Sequence, residues 1–168
     1  MAPLRIRPIG PEDAGELSAA FRAIGWSKPR ERFDRYADEA KAGTRWVRVA
    51  EWEGSLAGYV TLLWESDDPV LRNEGIPEVK DLNVLPRFRC NGIGNALLDE
   101  VEAEARTRGH VLGLRVGLHS GYGAAQRLYV KRGYLPDGSG VWENGAPVEE
   151  GAKTQIGDDV TLRMIKRM

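Results

Sequence analysis

The run Arg89-Cys90-Asn91-Gly92-Ile93-Gly94-Asn95 is the part of the chain whose residue types and spacing best fit a chemical role. It follows a predicted strand, Glu78 to Leu85, and opens a predicted helix, Gly92 to Arg108. Glycines let the backbone turn tightly and approach a ligand closely. The N–H groups of the first helical turn lack partners within the helix and lie at the positive end of the helix dipole. We therefore predict a phosphate site at Cys90 to Asn95, with Arg89 as an added cation.

Two common phosphate-binding motifs do not match this loop. The dinucleotide fingerprint needs a third glycine where Leu97 stands, and the Walker loop needs a Lys followed by Ser or Thr. A nucleotide-phosphate binder is disfavoured because no Ser or Thr that could hold Mg²⁺ follows Gly94. Two interpretations of the residues alone stay open: a phosphate loop, or a strand-to-helix turn with structural glycines.

Length, charge and composition restrict the class of protein. The chain has 168 residues and a net charge of −1, which predicts one domain, residues 1–168, and argues against a general nucleic-acid binder. The chain has one cysteine, Cys90, so we expect no disulfide within it. It has two histidines, His110 and His119, so we expect no metal site. No apolar run approaches the ~20 residues of a membrane span, and the first ten residues do not resemble a secretory signal. We expect a cytoplasmic enzyme with no membrane partner.

The elements that must position the loop follow from hydrophobic spacing. Ile93, Leu97, Val101 and Ala105 recur every four residues and predict the long helix after the loop. Alternating apolar residues predict a strand at Val111 to Leu118, whose Gly113 and Gly117 would admit a ligand or backbone. Further strands are predicted at Leu4–Arg7, twice within 46–64 on either side of a turn at Glu53-Gly54, at a segment that starts at Tyr134, and at Val160–Ile165. Further helices are predicted at Pro11–Gly25, Pro29–Ala42 and Gly123–Arg132. Residues 65–77 are predicted to form a polar loop.

Two motifs in this order resemble the GNAT superfamily of acyl-CoA N-acyltransferases. Leu82-Asn83-Val84 is followed by Arg89-x-x-Gly92-x-Gly94, which is similar to that family's strand and loop signature. Downstream, the segment from Ala125 through Leu128-Tyr129 to Gly133-Tyr134 is similar to its A-x-x-L-Y-x-x-x-G-[FY] helix end. The resemblance covers nearly the whole chain. It implies an α+β layered fold with a mixed, mostly antiparallel sheet of about seven strands and helices on both faces.

The resemblance also implies a cosubstrate and its contacts. In the family, backbone amides of this loop bind the pyrophosphate of acetyl-CoA. In this chain the corresponding amides would be those of Cys90, Asn91, Gly92, Ile93, Gly94 and Asn95, with Arg89 beside them. The pantetheine pairs with exposed strand backbone, here Leu82, Asn83 and Val84, so side-chain identity matters little. Many members carry an Asn where this chain has Tyr122, which puts that one pantetheine contact in doubt.

Acetyl transfer to an amine needs two proton transfers, and the resemblance suggests residues for them. Tyr129 matches the family tyrosine that protonates the leaving thiolate, a role that a neutral phenol can fill; the alternative is a packing role. A primary amine with a pKa near 10.4 must lose a proton before it attacks. Glu78, eleven residues before Arg89, matches a general-base position in some members. Its alternatives are an ordered water or a merely solvated glutamate.

Other base positions are weaker. Members related to ribosomal-protein acetyltransferases carry the base on the next strand, where this chain has Gly117 or Arg115, neither of which is a base at neutral pH. Asp81, three residues after Glu78, should point to the opposite strand face. His119 is either a proton relay or a surface histidine.

The acceptor amine is the least determined part of the prediction. By resemblance, its cleft would be formed by Trp26, Tyr36, Trp64, Asp67, Asp68 and the stretch 137–159. That stretch contains six acidic residues and a single basic residue, Lys153. Carboxylates and aromatic rings suit a cationic amine, although the acidic stretch is equally compatible with solvated surface. We expect an acetyl-CoA-dependent N-acetyltransferase acting on a small cationic amine or a peptide amine. The alternative is a non-catalytic acyl-CoA-binding module, and a homodimer is left open.

Overall fold

The computed structural model describes residues 3–168. Within them eight strands and five α-helices are formed. The strands are β1 Leu4–Pro8, β2 Arg45–Trp52, β3 Ser55–Leu63, β4 Glu78–Val84, β5 Val111–Gly117, β6 Leu135–Glu143, β7 Ala146–Pro147 and β8 Val160–Arg167. The helices are α1 Asp13–Ala23, α2 Arg30–Ala42, α3 Pro69–Asn73, α4 Ile93–Arg106 and α5 Gly123–Lys131. None of the helices in this described part is long and apolar enough to cross a membrane.

The chain divides into two compact units, neither of which is continuous in sequence. The first comprises the chain up to Trp64 together with Lys80–Ala103, and the second comprises Glu65–Val79 together with Glu104–Met168. The division falls within β4 and within α4, so each unit contains part of both elements. The prediction of one domain for residues 1–168 stays a prediction.

The first unit packs helices against strands in the order β1-β2-β3-β4. β1 and β2 are antiparallel, as are β2 and β3, with a register shift at Ala50/Glu51. The rings of Phe21, Phe33 and Tyr59 meet within 6.3 Å of one another and are fully buried. These aromatic contacts fix α1 and α2 on the strands. They thereby also fix the segment between the two helices.

The second unit orders its strands β4-β5-β8-β6-β7. The first two residues of β4 run parallel to β5, with Glu78 opposite Gly113, and the other pairs are antiparallel. The parallel pairing of β4 with β5 makes the sheet mixed. The predicted α+β fold with a mixed, mostly antiparallel sheet is confirmed.

Three sequence-based predictions about the second unit need correction. The predicted loop at 65–77 contains α3, whose N-terminus is capped by Asp68 accepting from the N–H groups of Val70 and Leu71. The sheet has eight strands where about seven were predicted, because Asn144-Gly145 turns β6 into the short β7. The open faces of Gly113 and Gly117 admit neither ligand nor backbone: side chains of Leu71 and Tyr122 cover them.

Candidate functional site

The predicted phosphate loop is an exposed turn that ends as α4 begins. Cys90 and Gly92 both have left-handed backbones, with φ of 64° and 77°. The Asn91 side chain donates to the Phe88 carbonyl at 3.1 Å, which braces the turn against the preceding 3-10 turn, Pro86–Phe88. No atom lies within 4 Å of where a Gly92 side chain would start. The loop therefore has the open backbone and the helix start that a phosphate group requires.

Arg89 connects this loop to its neighbours in the first unit. Its Nε donates to the Val84 carbonyl at 3.3 Å, at the end of β4. Its guanidinium carbon lies 5.7 Å from the centre of the Trp26 ring, which stacks at 5.8 Å on Phe21. The segment between α1 and α2 thus lies against the predicted loop, which the sequence did not indicate.

β4 is interrupted at its centre by Asp81, whose φ is 63°. The next residues, Leu82, Asn83 and Val84, are half-buried. Opposite them, Gly58 of β3 approaches so closely that any side chain there would collide with the Asn83 carbonyl. β4 therefore leaves regular strand geometry at the start of the segment predicted to bind the pantetheine.

The Asp81 carboxylate is held by a group of side chains that we call the Asp81 cluster: Lys28, Arg32, Tyr36, Tyr59, Asp81 and Asn83. Lys28 Nζ donates to Oδ1 at 2.9 Å, and the hydroxyls of Tyr36 and Tyr59 donate to Oδ2 at 2.9 and 2.6 Å. The Asn83 amide donates to Oδ1 at 2.6 Å. Burial acts to raise the pKa of Asp81, but the Lys28 charge and these hydrogen bonds outweigh it and lower the pKa.

Glu78 lies in the second unit and is 1% exposed. Its Oε1 accepts from Arg115 Nε at 2.9 Å and its Oε2 from Ser66 Oγ at 2.6 Å. Arg115 also donates to Asp67 at 2.7 Å. Because protein donors engage both oxygens, this placement favours the ordered water among the alternatives that the sequence leaves for the base. The assignment of Glu78 as the base stays a prediction.

The carboxylates predicted to attract a cationic acceptor have cationic partners within the second unit. Arg163, 1% exposed, donates to Asp68 at 2.9 Å and to Asp137 at 2.7 Å, with its guanidinium 4.3 Å from the centre of the Trp142 ring. Asp67 is paired with Arg115 as described. The sequence carried no signal for these pairs, because their members are 26 to 95 residues apart. Charge at Asp67, Asp68 and Asp137 is therefore already compensated.

Tyr129 lies on α5 in the second unit and is 7% exposed. Its ring centre is 5.8 Å from that of Tyr134, whose N–H donates to the Tyr129 carbonyl at 3.0 Å. These contacts fix the ring at the end of α5. They are compatible with both roles predicted for it, acid and packing residue.

The His119 ring is fixed through both of its nitrogens. The Gly121 N–H donates to Nδ1 at 3.1 Å, so the ring hydrogen is on Nε2, which lies 3.0 Å from Asp158 Oδ1. The Tyr122 hydroxyl donates to the same oxygen at 3.2 Å. Since Nδ1 already accepts a hydrogen bond, this arrangement favours the surface interpretation of His119 over the relay.

Solved structures of similar fold cover almost the whole chain. An acetyltransferase of the GNAT family from Streptococcus pneumoniae is 24% identical, covering 98% of this chain and 99% of its own, with a TM-score of 0.70. A ribosomal-protein-alanine N-acetyltransferase from Brucella melitensis is 23% identical, and the match covers 98% of this chain and 99% of that protein, with a TM-score of 0.71. A protein from Salmonella typhimurium is 19% identical, and the match covers 98% of this chain and 94% of that protein, with a TM-score of 0.70. It is provisionally named an acetyltransferase and was solved with its cofactor acetyl-CoA.

Among curated proteins no relative matches the chain. The family model described as the acetyltransferase (GNAT) family matches residues 14–134. That range includes both motifs that carry the resemblance, together with the exposed loop at Arg89–Gly92. The chain therefore belongs to the acetyltransferase (GNAT) family.

Proposed function

We propose that this protein is an N-acetyltransferase that moves the acetyl group of acetyl-CoA directly to a primary amine. The observation that carries the proposal is the exposed, left-handed turn at Cys90 and Gly92 where α4 begins, within the segment that the family model matches. A turn of this kind directs backbone N–H groups at an anion, and a pyrophosphate is such a group.

The residues of the chain would bind and orient the cosubstrate as follows. Backbone amides from Cys90 to Asn95 bind the pyrophosphate, and Arg89 adds a positive charge. The backbone of Leu82, Asn83 and Val84 aligns the pantetheine by strand-like hydrogen bonds. Acetyl-CoA itself supplies the activated acyl group and a thiolate that can leave. Holding the amine and the thioester in one orientation provides much of the rate enhancement.

Two protons must move for the transfer to balance. The amine nitrogen bonds to the thioester carbonyl carbon while the carbon–sulfur bond breaks, and the sulfur takes a proton. We assign that proton to the Tyr129 hydroxyl. The proton lost by the amine goes to an ordered water, the assignment favoured over Glu78 because Arg115 and Ser66 already donate to that carboxylate.

The proposed acceptor is a small cationic amine or a peptide amine. Both kinds occur in the names of similar folds: the Brucella melitensis protein is named for a ribosomal-protein alanine, and a Vibrio cholerae chimera, 18% identical, is named for spermidine. With Asp67, Asp68 and Asp137 compensated, the acceptor proposal depends more on aromatic surface such as Trp26, which is 36% exposed. A cytoplasmic location stays a prediction.

Release of free thiol tests the proposal against the alternative, a non-catalytic acyl-CoA-binding module. Acetyl-CoA is mixed with the protein and a panel of polyamines, amino-acid amides and short peptides with free N-termini. We expect thiol release that depends on both the protein and one class of amine. Tight acetyl-CoA binding with no amine-dependent release would favour the binding module.

A further inference from the structure

Asp81 has a backbone conformation that is unusual for its place. It lies within β4, yet its φ of 63° is in the left-handed region. For residues other than glycine this conformation costs about 1–2 kcal/mol, and Asp and Asn tolerate it best. A conformation of this kind persists only where the surroundings hold it in place.

The Asp81 cluster supplies that restraint. Four donors reach two carboxylate oxygens: Lys28 and Asn83 at Oδ1, and Tyr36 and Tyr59 at Oδ2. The Lys28 ammonium also lies 5.5 Å from the ring centres of Phe21 and Tyr59, and its side chain is 11% exposed. Arg32 approaches Oδ2 at 3.9 Å. The Asp81 side chain is only 16% exposed, and a carboxylate with this many charged and neutral donors is strongly fixed in position.

The cluster joins the parts of the first unit that surround the predicted cofactor segment. Lys28 belongs to the segment between α1 and α2, whose Trp26 lies against Arg89 of the phosphate loop. Tyr59 belongs to β3, and Asp81 directly precedes Leu82, Asn83 and Val84. Any shift of the Asp81 carboxylate would therefore change the start of the pantetheine-binding backbone.

We propose that Asp81 is a positioning residue: its carboxylate, held by Lys28, Tyr36 and Tyr59, fixes the left-handed turn in β4 that presents the Leu82–Val84 backbone to acetyl-CoA. This inference rests on the proposed function. It differs from the prediction of Asp81 as a weak base candidate, because a carboxylate that already accepts four hydrogen bonds has little capacity to take a proton from substrate.

The test compares acetyl-CoA affinity, measured by titration calorimetry, across variants of the full chain. Asp81→Ala removes the carboxylate that accepts the four hydrogen bonds, and it replaces a residue type that tolerates a left-handed backbone. It should weaken acetyl-CoA binding about tenfold or more. Asp81→Asn keeps the backbone preference and loses the charge, so it should weaken binding less. Asp34→Asn, on the exposed side of α2 where Asp34 pairs with Arg30, serves as the control with unchanged affinity.

A split between steady-state constants separates positioning from mere stability. We expect acetyl-CoA KM to rise while kcat at saturating acetyl-CoA falls by less, because Asp81 does not touch the reacting atoms. A merely structural role would lower the fraction of folded protein and leave KM unchanged. If Asp81→Ala does not fold, Tyr36→Phe and Tyr59→Phe each remove one donor and should each raise KM by a few-fold.

The outcomes separate the inference from the proposed function. A parent protein that neither binds acetyl-CoA nor releases thiol would overturn the proposed function. A parent that does both, with variants of unchanged acetyl-CoA affinity and KM, would overturn only the role of Asp81.

Discussion

The Glu78 carboxylate accepts a hydrogen bond of 2.9 Å from Nε of Arg115, joining the parallel strands β4 and β5 within the second unit. By resemblance, Glu78 matches a general-base position of some family members, and Arg115 is one of the two residues that match the alternative position. In this chain Glu78 and Arg115 instead neutralise each other, and Ser66 donates to the remaining oxygen of Glu78.

Glu78→Gln should leave the shape of the pH–rate profile unchanged, because an ordered water accepts the amine proton in our proposal. The rate rises with pH in both proteins as more of the amine, with a pKa near 10.4, becomes neutral. Thermal unfolding should show a lower melting temperature for the variant, since Arg115 loses one charged partner.

The pH–rate profiles are measured from pH 6 to about pH 10. Glu65→Gln serves as the control, because the Glu65 side chain is 83% exposed. A selective loss at neutral pH that recovers at high pH would restore Glu78 as the base.

Tyr129→Phe should lower kcat by about 10²-fold with little change in acetyl-CoA KM. The substitution removes one hydroxyl and almost no volume, so the ring packing against Tyr134 remains. Tyr134→Phe, fully buried beside it, is the matched control and should retain activity. If Tyr129→Phe stays within about twofold of the parent, Tyr129 is a packing residue.

Gly92→Leu should abolish detectable acetyl-CoA binding in calorimetry while the fold survives. A side chain there points into open space, so it meets ligand rather than protein, and the left-handed backbone adds a cost of about 1–2 kcal/mol. Gly43→Leu is a close control, because Gly43 has the same φ of 77° and equally open surroundings at the end of α2. Equal acetyl-CoA affinities in the two variants would contradict the assignment of the loop.

The sequence predicted the turn at Gly92 and the helix α4 that follows it, but not the contacts around them, for a physical reason. Glycine spacing and the four-residue repeat of α4 are local signals, and Ile93, Leu97 and Val101 are indeed buried. The Asp81 cluster joins Lys28 to a residue 53 positions away, and a left-handed Asp within a strand has no sequence signature. The helix α3 was missed although Asp68-Pro69 is a normal start signal, because the whole helix has only five residues.

Asp13→Asn should destabilise the protein at neutral pH and less so in acid. Burial acts to raise the pKa of Asp13, but hydrogen bonds from Arg7 and the Gly10 N–H outweigh it and lower the pKa below its usual value. The stabilisation is therefore present above the ordinary pKa of about 3.9 and disappears as pH falls through the folded-state pKa.

Urea unfolding at pH 7 should show a loss of about 1–3 kcal/mol, and the difference should shrink as the pH falls below the ordinary Asp pKa of about 3.9. Asp38→Asn, an α2 variant outside this pair, should change stability by no more than about 0.5 kcal/mol. A difference that does not depend on pH would mean that the Arg7–Asp13 pair contributes through packing alone.

The central claim is direct acetyl transfer from acetyl-CoA to an amine, and initial velocities with both substrates varied test it most directly. We measure thiol release and the acetylated amine together, the latter by mass spectrometry. The account predicts equal amounts of the two products and double-reciprocal lines that intersect, as a ternary complex requires. Parallel lines would contradict direct transfer, and thiol release without acetylated amine would contradict the acetyltransferase itself.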